Sequence, residues 1–138
     1  MRGFSLLEAL IASVVLGMTV LALTSAVAAG QRTSIEGQKM VLGSMSASDL
    51  LSEASSVPYK ELEALDGLTQ GVGLMQTLDG GAYPSTYWMV GRRLSVVEEI
   101  VTYEELGVSI RGLRLTATAF DEERDLLSLE RFIPEPVS

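Results

Sequence analysis

The chain has 138 residues, no cysteine, no histidine and a formal net charge of −8. Disulfides, thiolate zinc sites, cysteine nucleophiles and a lipoprotein cysteine are thereby excluded, along with the usual general base and the commonest metal ligand. The acids fall mostly after residue 48, which suits neither nucleic acid, whose phosphates need clustered Lys and Arg, nor an anionic lipid surface.

From Ala9 to Gln31, 23 residues pass without a charge. At about 1.5 Å per residue, a helix of that length crosses a hydrocarbon core of about 30 Å. One carboxylate, Glu8, stands where this run begins. An ionised acid costs about 2.5–3.5 kcal/mol at the centre of a membrane helix and less near its end. A plain membrane anchor is the simplest reading. A secretory signal is another: Met1-Arg2, an apolar region and "AVAA" at Ala26–Ala29 would release a soluble secreted protein cut near Ala29. The length of the apolar run and the position of Glu8 count against that reading.

The stretch "RGFSLLEALIASVVLG" explains more of these residues, because it resembles the prepilin signature of type IV pilins and type II secretion pseudopilins. The resemblance covers about 25 residues. It implies that prepilin peptidase cuts after Gly3 on the cytoplasmic side and that the new N-terminus, Phe4, is N-methylated. Glu8 then becomes the fifth residue of the mature chain, where the family carries its glutamate. Gly17 falls where many members have a helix glycine. The leader Met1-Arg2-Gly3 is shorter than most of the family, which leaves open whether the true start lies upstream. The proline that often follows is missing, and Ser25 is near where it would fall. Local melting of the helix then relies on Gly17, whose other reading is a close helix–helix contact.

The chemistry agrees with the resemblance. Cutting after Gly3 creates an α-amino cation at Phe4, and a cation and a carboxylate can neutralise each other in an apolar setting. Glu8 is expected to pair with the Phe4 amine of an adjacent subunit and set the axial register of assembly. Pairing with its own Phe4 amine and orienting the peptidase substrate are the alternatives.

Helical sequence continues to about Ser56, with Pro58 as the stop. Met40, Gly43, Ala47, Leu50, Leu51 and Ala54 share one face at three- and four-residue spacing, with Gly43 and Ala47 small enough for a sheet to approach. Glu36, Lys39, Ser46, Asp49 and Ser52 are expected on the opposite, solvated or subunit-facing side.

Beyond Val57 comes a connector. "PYKELEALDG" predicts a short helical turn from Tyr59 to Leu65, closed by Gly67. Gly67, Gly71, Gly73, Gly80 and Gly81 lack the lysine and spacing of a phosphate loop and read as turns. Three strands are then predicted. Trp88, Val90, Leu94 and Val96 alternate in the first, with Arg92 as an interruption. Leu113, Leu115, Ala117 and Ala119 alternate in the second, and Leu127, Leu129 and Ile133 in the third. "DEERD" at Asp121–Asp125 is a hairpin turn between the last two. Such patterning predicts an antiparallel meander with one face on the helix.

The expected organisation is a leader (1–3), the transmembrane half of the N-terminal helix (4–30), its amphipathic half (31–56) and a globular head (57–138). The fold class is α+β and pilin-like. One helix over about residues 4–56, its first half in the membrane, packs on a small antiparallel sheet of three to four strands. The short closing turn looks most like minor pilins and the I-type minor pseudopilin.

Several clusters are read as structural. Asp121, Glu122, Glu123 and Asp125 lack calcium-loop spacing and form a solvated turn. Glu98-Glu99 and Glu104-Glu105, flanking "IVTY", are surface charge with no pocket signal. Trp88 is a core tryptophan flanked by strand tyrosines Tyr83 and Tyr87. Ser5 has no catalytic partner.

The resemblance implies a structural minor subunit of a type IV pilus or type II secretion pseudopilus, not an enzyme, with no cofactor and no metal. Its partners would be prepilin peptidase, other pilin or pseudopilin subunits through the N-terminal helix, the assembly platform protein and the bacterial inner membrane, without direct nucleic acid contact. It would be single-pass, N-terminus cytoplasmic and head periplasmic, before entering the filament. A tip adhesin or a DNA-uptake pilus subunit is the second class of reading.

Overall fold

The computed structural model describes residue 3 and residues 5–137. One helix, α1 (Leu6–Ser55), is followed by a short α2 (Tyr59–Leu62), a tight helical turn at Glu63–Leu65, and strands β1 (Thr69–Gln70), β2 (Gly91–Tyr103), β3 (Val108–Phe120) and β4 (Asp125–Pro134). Among the described residues the strands form one antiparallel sheet in the order β1-β2-β3-β4. The chain divides into two compact units, Met1–Gly37 and Gln38–Ser138.

From Leu6 onward the first unit is helix. Its leucines, valines and isoleucines are exposed on every side, from Leu6 to Val27. A helix apolar all round has no solvated face, which is the pattern of a segment made for an apolar surrounding. Within α1 lies a stretch long and apolar enough to cross a membrane, and none of it is buried.

The second unit is the α+β head. Its helical part ends where sequence predicts: the Ser56 and Val57 N–H groups bond back to Glu53 and Ala54, tightening the last turn ahead of Pro58. Ala47, Leu50, Leu51 and Ala54 are buried against Leu94, Val96, Leu113, Leu115, Ala117 and Ala119 of the sheet. Each buried leucine contributes about 1.5–3 kcal/mol of burial energy. Gly43 permits the approach: a Cβ there would lie 3.2 Å from Ala119 Cβ and 3.3 Å from Leu126 Cδ1. Leu126 reaches this spot because the pairing of β3 with β4 slips between Ala119 and Phe120, leaving one extra residue on β4. Leu127, Leu129 and Ile133 pack on the same core, as their alternation predicts.

Four expectations change. Met40 is 42 % exposed and lies outside the core, whereas Ser46 is fully buried. The buried face is therefore rotated from the expected one, and the Ser46 hydroxyl is satisfied by donating to the Gly43 carbonyl at 3.0 Å. Trp88 is not in the core: it is 66 % exposed. Pro84 starts a tight helical turn at Ser85–Tyr87, and β2 begins only at Gly91, so Trp88 sits outside the pleat that would have pointed it inward. Tyr87 is buried beside Met75 and Val90 instead. Arg92 does not interrupt the alternation; it occupies an inner position and is fully buried. The Asp121–Asp125 segment is the predicted turn, but Asp121 is buried within it.

Candidate functional site

The N-terminal turn of α1 is set by Ser5. Its hydroxyl oxygen accepts the Glu8 N–H at 3.2 Å, and its carbonyl accepts the Ala9 N–H at 3.1 Å. Ser5 therefore caps the helix, and Glu8 is its third residue. The spacing Ser-x-x-Glu is that of a capping box, so Ser5 has a structural role that its lack of a catalytic partner does not reveal. A carboxylate in the first turn also faces the positive end of the helix dipole, worth about 0.3–1 kcal/mol. Glu8 thus has a local reason to be where it is. Its side chain is exposed, as is Gly3 just before the cap. Phe4, the residue expected to carry the new amine and its methyl group, lies outside the described residues, as do Met1 and Arg2.

Further along, three hydroxyls of the apolar stretch bond within the helix itself. Ser13, Thr19 and Thr24 donate to the carbonyls of Ala9, Val15 and Val20 at 2.8–2.9 Å. Each of these three hydroxyls is satisfied inside its own helix, as hydrocarbon favours. Gly17 lies within unbroken helix, and a Cβ there would meet nothing within 4 Å. The helix also passes without interruption through Ala26–Ala29.

In the head, the charge that matters is Arg92. Its Nε donates to Gln70 Oε1 at 2.8 Å, Nη1 to the Ser46 carbonyl at 3.3 Å, and Nη2 to Glu53 Oε1 at 3.1 Å and the Gln76 carbonyl at 2.7 Å. The guanidinium carbon also lies 4.6 Å from the centre of the Tyr83 ring. One side chain thereby joins α1, β1 and the long connector to β2. Glu53 Oε2 accepts the Leu78 N–H at 2.6 Å, and Asp49 accepts the Tyr83 hydroxyl at 2.7 Å. Burial and the Asp49 bond both push the Tyr83 phenol above its usual range. These acids border an open groove of about 710 Å³ between the end of α1 and the connector. Asp49, Glu53 and Asp79 are all engaged in bonds within the head. Among the described residues no cluster of carboxylates is arranged to hold a metal ion.

The expected surface charges are placed as follows. Glu99 and Glu130 both accept from Arg114, at 2.6 and 2.8 Å, and hold its guanidinium above its usual pKa, with the Glu99 bond the larger cause. Glu98 pairs with Arg111 at 3.3 Å. Asp121 is different from its acidic neighbours. The Lys39 ammonium donates to it at 2.8 Å, and the N–H groups of Glu123 and Arg124 donate to it at 2.9 Å. The Lys39 bond, then the backbone donors, hold its carboxyl down to about 2.

These features define a protein with an apolar, membrane-compatible N-terminal helix that carries one acid in its capped first turn and continues into a small α+β head. Comparisons with protein-family models, curated proteins and solved structures gave no match.

Proposed function

We propose that this chain is a structural subunit of a type IV pilus or type II secretion pseudopilus, in a minor role. It is inserted in the bacterial inner membrane with its N-terminus cytoplasmic and its head periplasmic. Prepilin peptidase cuts after Gly3, Phe4 is N-methylated, and the subunit is taken up by the assembly platform through its N-terminal helix. The chain acts as a peptidase substrate and building block, not as an enzyme. One observation carries this reading: α1 is apolar on all sides at its start, holds one acid in its first turn, and ends as the core helix of an antiparallel-sheet head. The exposed Gly3 ahead of the Ser5 cap is consistent with a scissile bond outside the helix.

N-terminal sequencing of protein from cells with and without prepilin peptidase tests it. The mature chain should begin at Phe4 only when the peptidase is present. A chain that keeps Met1 in both strains, or begins near Ala29, refutes the proposal.

The role of Glu8 separates by a second measurement. A glutamine can serve a capping box but cannot neutralise an amine. If Glu8 pairs with the Phe4 amine of a neighbouring subunit, Glu8→Gln and Glu8→Ala should both enter filaments at least about tenfold less than wild type, the equivalent of about 1.4 kcal/mol. Wild-type incorporation of Glu8→Gln would leave capping as the only role of this acid.

A further inference from the structure

Trp88 stands in water, yet its backbone is fixed. Its N–H donates to the Ser85 carbonyl at 3.3 Å, and the Val90 N–H donates to the Tyr87 carbonyl at 3.1 Å. Tyr87 and Val90, on either side of it, are buried. A second segment braces the same turn: the Gly73 N–H donates to the Val90 carbonyl at 3.4 Å, and a Cβ on Gly73 would lie 3.3 Å from the Trp88 carbonyl oxygen. Beside the turn lies a cavity of about 140 Å³. Buried Met75 and Tyr87 and half-buried Tyr83 line it, together with exposed Ser85 and Trp88. It is distinct from the groove at the end of α1, although Tyr83 borders both.

Size, charge and polarity narrow the occupant. Cavities for whole small molecules run to about 300–1,000 Å³, so this one holds about a single ring. No charged side chain lines it among the described residues, and the acids of the chain fall mostly in the head, so nothing here recognises a phosphate or a carboxylate. A cation is disfavoured too, because the Arg92 guanidinium already lies 4.6 Å from the centre of the Tyr83 ring. The Trp88 indole N–H and the Ser85 hydroxyl take part in no hydrogen bond among the described residues. An apolar side chain seated here would cover both without pairing them, which weakens binding. A proline-rich segment docks along an aromatic-lined groove, whereas here one exposed ring stands beside one small cavity. A neutral sugar meets each condition. The C–H face of a pyranose is apolar, and its slightly positive hydrogens suit the negative face of an indole. Hydroxyls of that unit or the next can accept from the indole N–H and bond with Ser85. We propose that Trp88, Ser85 and the adjoining cavity bind one neutral pyranose unit of an oligosaccharide chain. The site belongs to the head and stands independently of how the N-terminal helix is processed.

The test uses the full chain in micelles of a zwitterionic detergent that carries no sugar headgroup. Neutral tetrasaccharides of glucose, galactose, mannose and N-acetylglucosamine are titrated by calorimetry and by the fluorescence of Trp88, the sole tryptophan. At least one should bind saturably and shift the emission to the blue as the exposed indole leaves water. Trp88→Ala should bind that sugar at least about tenfold more weakly, and Ser85→Ala about threefold more weakly. Both positions are exposed, so circular dichroism should show an unchanged fold for each. Asp79→Asn, which borders only the other groove, should bind as wild type does. No saturable binding of any of these sugars at millimolar concentration overturns the proposal. Full binding to a folded Trp88→Ala overturns it as well. A proline decapeptide that shifts the Trp88 emission where the sugars do not would assign the cavity to a peptide instead.

Discussion

Arg92 brings a rigid fork of donors to four acceptors on three separate segments: Gln70, Ser46, Glu53 and Gln76. A lysine ammonium is a single point and cannot span them. Removing the guanidinium leaves buried carbonyls without a donor, at about 1–3 kcal/mol for each group left unpaired. Arg92→Lys and Arg92→Met should therefore each lower the stability of the head by about 2–4 kcal/mol. Denaturant titration of the full chain in micelles, followed by the near-ultraviolet circular dichroism of the packed Tyr83 and Tyr87, measures this. A wild-type midpoint for Arg92→Met would show that the network contributes nothing net. Trp88 is not a support of the head, because it is largely exposed at the end of a tight turn.

At the scale of the element, α1 contains glycines with opposite environments. A Cβ at Gly37 meets nothing within 4 Å, whereas one at Gly43 meets Ala119 and Leu126. Gly37→Ala should stabilise the helix by about 0.5–1 kcal/mol through propensity alone. Gly43→Val should destabilise the head by about 1–3 kcal/mol, because the extra carbons overpack the contact with the sheet. Thermal melting by circular dichroism compares the two. Equal effects would mean that Gly43 is not a packing position. On the sheet, glycine serves a different purpose. Gly91 lies under the Phe120 ring and Gly112 under the Phe132 ring, so two aromatics cover the backbone of neighbouring strands on the outer face.

For the whole molecule, acid sensitivity follows from the tie between the β3–β4 turn and α1. Asp121 has a folded pKa of about 2, below its ordinary value of 3.8, chiefly through the Lys39 bond. A depressed carboxyl stabilises the fold above the ordinary value and loses that contribution as pH falls toward the folded one. Head stability should therefore decline between about pH 4 and pH 2. Asp121→Asn should be less stable at neutral pH by about 1–2 kcal/mol, the worth of a charge-assisted bond, and flatter across that window. Denaturation midpoints at several pH values decide it; parallel curves for the two proteins would exclude Asp121 as the source.

Periodicity alone determined the large divisions of this chain. The uncharged run from Ala9 to Gln31 admits only a long apolar helix, and the alternation at Leu113–Ala119 and Leu127–Ile133 admits only half-buried strands. The Ser5–Glu8 cap was equally legible, since it depends on a three-residue spacing and on nothing distant. Tertiary structure alone decided the inside positions of Arg92, Ser46 and Asp121, and the outside position of Trp88. Side-chain polarity predicts burial only when water is the sole competitor. Here the partners of Arg92 come from residues 16 to 46 positions away, and the Lys39 that holds Asp121 is 82 positions away. No local pattern encodes such a meeting, because the stabilising bonds exist only after the sheet has closed on the helix.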